Sequence, residues 1–475
     1  MERFIAIAVL FFFSGLSSLI LETVWTRQLV LVFGSTTFAI SSVLTAFMAG
    51  LAGGSLSAGR RVDRLDRAQA LRLYSALELV VGLYALLLPW AFELLPQLHV
   101  WLWGVEARSY HLFALLRFLL VFVLLAPPTF AMGATLPVLT QALMGGDRTS
   151  LPGRAVGGLY AVNTAGAVGG VFVAGFVLLP AWGTRQTTIV ACLLDMLLAV
   201  VAFALAARVG RSIITQGRKG DGDPAAPLAP GAPAVPSADL APHGVEVSLG
   251  FRRFALVSIA ISGAVAMAYE VAWTRALTLV VGSSTYAFSL ILIAFLLGLA
   301  GGAALYARRQ VAAPDQGANL TMVHLLTALT ALATTAIIDK LPAVLLGAFK
   351  VVELSSGVVF VLKFVVISTV VLLPALFMGM VLPAVVQIWS SGERVAGRAA
   401  GVVYGVNTLG AIVGSFLSGF VLVPFLGLQR TLALLVTLGA ALAIAFSWTS
   451  RKRWLRPATM VVALLVAALS FYRSG

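Results

Sequence analysis

Apolar runs long enough to cross a ~30 Å hydrocarbon core as helix follow one another along almost the whole chain. They fall near 4–25, 36–58, 70–96, 110–130, 154–181 and 186–207, then near 253–273, 284–306, 319–340, 353–375, 398–425, 428–448 and 457–472. Inside lipid a helix satisfies its own backbone hydrogen bonds, so the pattern predicts an all-α polytopic membrane protein with twelve spans plus a thirteenth. One long interruption stands out. Residues 208–252 are dominated by Pro, Ala and Gly and keep no hydrophobic period, as expected of a disordered linker. The chain therefore divides into a six-helix unit at 1–207, the linker, a second six-helix unit at 253–449, and a basic loop with the thirteenth helix at 450–475.

Composition agrees: 60% of the 475 residues are hydrophobic and 11% charged, and the mean hydropathy is +1.02. The net charge of +14 could suit a nucleic acid, but the basic residues collect in short loops with no interleaved aromatics. They report topology instead. With the N-terminus cytoplasmic, 22 Lys and Arg residues lie on the inner side and 8 on the outer. The positive-inside rule thus places the N-terminus in the cytoplasm of a bacterial-type cell, and the end of the thirteenth span outside. The first run lacks a small-residue cleavage pattern and reads as an anchor. The single cysteine, Cys192, excludes a disulfide framework, and His99, His111, His243 and His324 lack ligand spacing, so neither a metal nor a cofactor is expected.

The two six-helix units are repeats. "LETVWTRQLVLVFGSTTFAISSVLTAFMAGLAGG" (Leu21 to Gly54) answers "YEVAWTRALTLVVGSSTYAFSLILIAFLLGLAGG" (Tyr269 to Gly302), and "GRAVGGLYAVNTAGAVGG" answers "GRAAGVVYGVNTLGAIVG". Because six is even, both units enter the membrane from the same side, giving a parallel repeat about the membrane normal. This is the arrangement of the two halves of the major facilitator superfamily, where substrate binds between halves near the midplane.

The loop "GRRVDRLDR" resembles the G-x-x-x-D-R-x-G-R-R loop of that superfamily through Gly59, Asp63, Arg64 and Arg67. The runs E-x-x-W-T-R, G-S-[ST]-T-[FY]-A-[IF]-S, A-F-x-x-G-L-A-G-G and Y-x-V-N-T-x-G-A resemble the membrane part of the fused transporter–spermidine synthase proteins over essentially the whole chain. The soluble aminopropyltransferase domain of those proteins has no counterpart here, and no glycine-rich nucleotide turn occurs. The resemblance therefore implies a non-enzymatic chain whose synthase partner is missing or separate.

Intramembrane charge is functional by default, since it costs at least ~2.5–3.5 kcal/mol to insert unpaired. The facilitator resemblance makes spans 1, 4, 7 and 10 line the cavity. Glu22 and Arg117 in one unit, and Glu270 and Lys363 in the other, are then expected to pair as a gate or amine site, with Arg27 and Arg275 nearby. Trp25 and Trp273 fall at the outer interface, where they would anchor in the headgroups or wall a cation. Tyr160 and Asn163, with Tyr404 and Asn407, share helix faces in spans 5 and 11 and suit interhelical hydrogen bonds or substrate contact. Glu78 and Asp195 have no repeat counterpart, Leu326 and Gly439 standing in their places, and are candidates for proton coupling.

The expected function is secondary transport of a small cation or amine, a polyamine first, by alternating access across the bilayer. The alternatives are a non-transporting module that anchors or feeds a separate aminopropyltransferase, and a flippase for a lipid or lipid-linked substrate. The topology is directly testable. A phosphatase active only outside the cytoplasm, fused after Ser474, should be active, whereas the same reporter placed in the 208–252 linker should be silent.

Overall fold

The computed structural model describes all residues except 1, 34–36, 107–109, 146–150, 221–247, 283, 310–314, 352–355, 391–395 and 475. Most of the expected linker, and His243, therefore lie outside the described residues. The described chain is helical, and several helices run well past the apolar runs that predicted them. In the first unit they are α1 (Glu2–Phe33), α2 (Thr37–Gly59), α3 (Arg67–Glu106), α4 (Tyr110–Met144), α5 (Pro152–Val173) and α6 (Leu179–Gly220). In the second they are α7 (Leu249–Val281), α8 (Thr285–Arg308), α9 (Gln316–Ile338) with the short α10 (Leu341–Val351), α11 (Ser356–Trp389), α12 (Ala396–Leu417) and α13 (Leu428–Ser447). The thirteenth span is α14 (Leu455–Ser474), packed against α13 and α9. α6 continues past the expected end at 207, and α7 begins before 253. Pro137 and Pro383 sit inside α4 and α11.

Local devices repeat between the units. α5 and α12 each run into a π-helical stretch, Ala174–Leu178 and Ser418–Leu426. The turn into the next helix is then made at Gly183 (φ 73°) and Gly427 (φ 78°), a backbone region that a side chain would strain. Small residues set the helix spacing. A methyl group added at Gly54 would strike the Phe130 carbonyl oxygen of α4, and one at Gly302 the Leu376 carbonyl oxygen of α11. These glycines thus place α2 on α4 and α8 on α11 in direct backbone contact.

The units meet along α2 against α12 and α5 against α8. On the face that carries the N-terminus, Ser55 Oγ donates to the Gly401 carbonyl at 3.0 Å, and the Gly153 N–H donates to Gln387 Oε1 at 2.9 Å. On the same face Asp315 caps α9, accepting the Ala318 N–H at 2.9 Å. It also ties down the start of the last connection through the Ser450 hydroxyl (2.8 Å) and the Arg451 N–H (2.9 Å). Partial burial alone would raise this carboxyl, but those hydrogen bonds, with the Lys452 N–H, outweigh it and hold the pKa below 3.8. A group whose folded pKa is depressed stabilises the fold above its unfolded pKa and ceases to do so as pH falls through the folded value. Thermal unfolding in detergent should therefore shift down as pH drops below about 4. Asp315→Asn should lower the melting temperature at pH 7 and flatten this acid limb.

Candidate functional site

A cavity of about 240 Å³ lies between the two units. α1 and α7 bring Glu22 and Glu270 to it, and α5 and α12 bring Tyr160, Asn163, Tyr404 and Asn407. The Tyr160 and Tyr404 rings approach to 6.4 Å between centroids, meeting across the boundary between units. The charges are crossed as well: Glu22 is within electrostatic reach of Glu270 and of Tyr404, while Glu270 acts on Tyr160. Met48, Met132, Met267 and Met378 supply much of the remaining wall, a polarisable and adaptable surface.

Arg117 and Lys363 are not on this wall. Both are partly buried on α4 and α11, and the titratable neighbour of Glu22 is the other carboxyl, Glu270. The expected Glu22–Arg117 and Glu270–Lys363 pairs are replaced by a pair of acids facing one space. Arg27 and Arg275 are exposed on the outer turns of α1 and α7, away from the cavity. Trp25 and Trp273 correct a second expectation. They are 1% and 0% exposed, sealed in the cores of their own units, with Trp273 stacked on Tyr269 at 4.7 Å. The reason is helix length: α1 and α7 continue for two further turns beyond each Trp, so neither ring reaches a headgroup belt or the cavity.

Glu78 and Asp195 lie together behind α1, 2% and 1% exposed. Glu78 accepts the Ser14 hydroxyl at 2.6 Å and has the Tyr74 hydroxyl beside it, while Asp195 lies next to Ser17 and interacts with Glu78. Asp195 Oδ2 has no protein partner. Ser14 itself lines the cavity, so one hydroxyl separates the acid pair from the central space.

The loop motif closes the N-terminal face. Gly59 packs on Gly401, and Asp63 accepts the Arg398 N–H at 3.2 Å in the first turn of α12, where the helix dipole favours an anion. Arg67 caps the end of α4 through the carbonyls of Ala142 (2.8 Å), Leu143 (3.2 Å) and Gly145 (3.2 Å), while Arg64 is exposed. Sequence reasoning missed His324, which lines the cavity with Ser262, Thr327 and Gly439. Among the described residues no group of three or more His, Cys, Asp or Glu could hold a metal.

The chain aligns over nearly its full length with solved transporters. It covers 94% of itself and 99% of the nucleoside transporter NupG, in a point-mutant form, with a TM-score of 0.52 and 12% identity. It aligns with 99% of the human organic anion transporter MFSD10 at a TM-score of 0.55 and 12% identity, covering 93% of this chain. With the proton:xylose symporter XylE, a major facilitator superfamily protein, the TM-score is 0.53 at 13% identity, over 94% of this chain and 95% of that one. The fold is that of the major facilitator superfamily. No protein-family model and no curated protein matches the sequence.

In this facilitator fold the Asp63 contact is one of the cross-unit hydrogen bonds that hold the N-terminal face together. Its charge–dipole part carries ~0.3–1 kcal/mol. Asp63→Ala should therefore speed modification of a buried Ser55→Cys reporter on that face about two- to fivefold, measured with a thiol reagent applied from the N-terminal side.

Proposed function

We propose that the chain is a secondary transporter that moves a small organic cation by alternating access, with a polyamine as first candidate. The observation that carries the reading is the charge of the cavity wall. Glu22 and Glu270 line it and no Arg or Lys does, among the described residues. An anionic substrate would meet two carboxylates and no countercharge, at a cost of several kcal/mol per buried ion. An organic cation resolves that cost, and one with two ammonium groups can take a carboxylate at each. Tyr160 and Tyr404 add aromatic faces, to which ammonium groups are attracted.

The motifs shared with the fused transporter–spermidine synthase proteins favour an amine over other cations, and a separate aminopropyltransferase as a functional partner. A membrane anchor for such an enzyme has no need of a cavity lined by two acids. Proton coupling is assigned to Glu78 and Asp195. Two carboxyls brought together away from water share a proton rather than both ionise, and Ser14 connects them to the substrate space.

The test is uptake of radiolabelled putrescine and spermidine into proteoliposomes with an imposed proton gradient. Glu22→Gln and Glu270→Gln should each reduce uptake at least tenfold, in line with the 2–5 kcal/mol lost when one partner of a buried ion pair is removed. Glu78→Gln should retain exchange of labelled for unlabelled amine but lose gradient-driven accumulation. Absence of uptake and exchange by well-folded native protein would overturn the polyamine reading and turn attention to lipid substrates.

A further inference from the structure

The duplicated units differ most sharply at one place. In the first unit α1 packs directly on α3, and the crevice that these helices make with α6 is filled by Glu78 and Asp195. In the second unit the corresponding helices α7 and α9 do not pack closely, and the positions of those two acids hold Leu326 and Gly439. The central cavity extends into the crevice thus vacated, reaching Ser262, His324, Thr327, Gly439 and Leu442.

Two polar atoms there lack any partner in the protein: Ser262 Oγ and His324 Nε2 are both buried and unbonded. His324 is 3% exposed and its ring is held parallel to Phe446 at 5.4 Å and 11°, so its direction is fixed by packing. The contrast with the first unit is informative. Ser14, the repeat counterpart of Ser262, gives its hydroxyl to Glu78, whereas Ser262 has nothing to give it to. A buried polar group without a partner is costly, and two in one pocket represent binding energy held in reserve for a ligand.

We infer that this side pocket of the second unit is a substrate subsite that holds a neutral hydrogen-bonding end, a hydroxyl or amide, through Ser262 Oγ and His324 Nε2. The inference rests on the cation reading only for the other end of the substrate, which would lie at Glu22 and Glu270. A second ammonium does not suit the pocket. Among the described residues no carboxyl remains in that crevice, Leu326 and Gly439 standing where the first unit has its two acids. A neutral hydroxyl can accept from Ser262 while it donates to, or accepts from, the imidazole. An amine that carries such a neutral group is thereby given a direction, its cationic end on the pseudo-twofold axis and its neutral end in the second unit, whereas a plain polyamine would be held at Glu22 and Glu270 alone.

A Gly439→Cys reporter in the full chain tests this. A methyl group at that position would meet only Ala328 Cβ at 3.6 Å, an ordinary contact, so the thiol fits. Its rate of modification by methyl methanethiosulfonate would be followed by mass spectrometry against the native background of buried Cys192, with Thr327→Cys as a second reporter should the first variant fold poorly. 5-Amino-1-pentanol should slow modification at least fivefold. Pentylamine at the same concentration should slow it less than twofold, and 1,5-pentanediol should protect at higher concentration. Adding His324→Phe, which keeps the stack on Phe446 but removes the nitrogen, should abolish protection by both hydroxyl compounds. An unreactive reporter, protection by pentylamine equal to that by the amino alcohol, or protection that survives His324→Phe would overturn the subsite. Equal potency of the diol and the amino alcohol would retain the subsite and remove the cation reading instead.

Discussion

An ionisable group enclosed in a bundle of apolar helices needs water, a countercharge or a shared proton, and the architecture follows from how that need is met. Glu22 and Glu270 are placed on the cavity between the units. Glu78 and Asp195 are placed against one another with serine and tyrosine hydroxyls around them. Of the cations expected beside them, Arg27 and Arg275 are exposed on the outer turns of α1 and α7, and Arg117 and Lys363 are partly buried on α4 and α11, off the cavity wall. Acidic groups are thus concentrated where a mobile partner, substrate or proton, would reach them.

The helices can hold those acids at fixed depth because their spacing is set by backbone. Where Gly15 lies against the Asn163 carbonyl, and Gly263 against the Asn407 carbonyl, a side chain has no room, so α1 and α5 (and α7 and α12) cross in close backbone contact, which continues at Gly166 and Gly170 (and at Gly410 and Gly414). That crossing fixes Asn163 and Asn407 on the cavity wall, with Tyr160 and Tyr404 one turn closer to the N-terminal face. The hydrogen bonds of Ser55, Asp63 and Gln387 then close that face beneath the tyrosines. Packing, cavity chemistry and closure are consequences of the same small-residue stripes.

Much of this was legible in the sequence, because it depends on period and repetition. Thirteen apolar runs, the parallel duplication and the acid-bearing first helix of each unit all follow from patterns that survive without coordinates. Partnership was not legible. Glu22 and Arg117 suit one another by depth and charge, but which face of α4 turns inward depends on the glycine contacts of α2, and these direct Met132 and Thr135, not Arg117, to the cavity. Trp25 was misplaced for a related reason: the charge of Arg27 resembled the end of a span that in fact runs on to Phe33. His324 carried a signal that could have been used, since a histidine beside the position where the first unit has Glu78 marks a place the repeat has rebuilt.

Duplication makes two similar halves, and a fully symmetric cavity would offer both ends of a ligand the same chemistry and give it no preferred direction. The changes that break the symmetry are therefore informative about both ligand and coupling. In the first unit the crevice behind the cavity helix has been filled by two acids, which can carry a proton but leave no room for substrate. In the second unit the same crevice holds neither acid and opens on the cavity, the space that the proposed subsite would use. On that proposal the matching positions would serve two tasks, each excluding the other within its own half. Because both crevices border helices that move with their units in alternating access, protonation on one side and ligand occupancy on the other act on the same interface. That shared boundary, formed by α1 and α7 with Ser14 and Ser262 at matching positions, is where the two halves are physically able to couple.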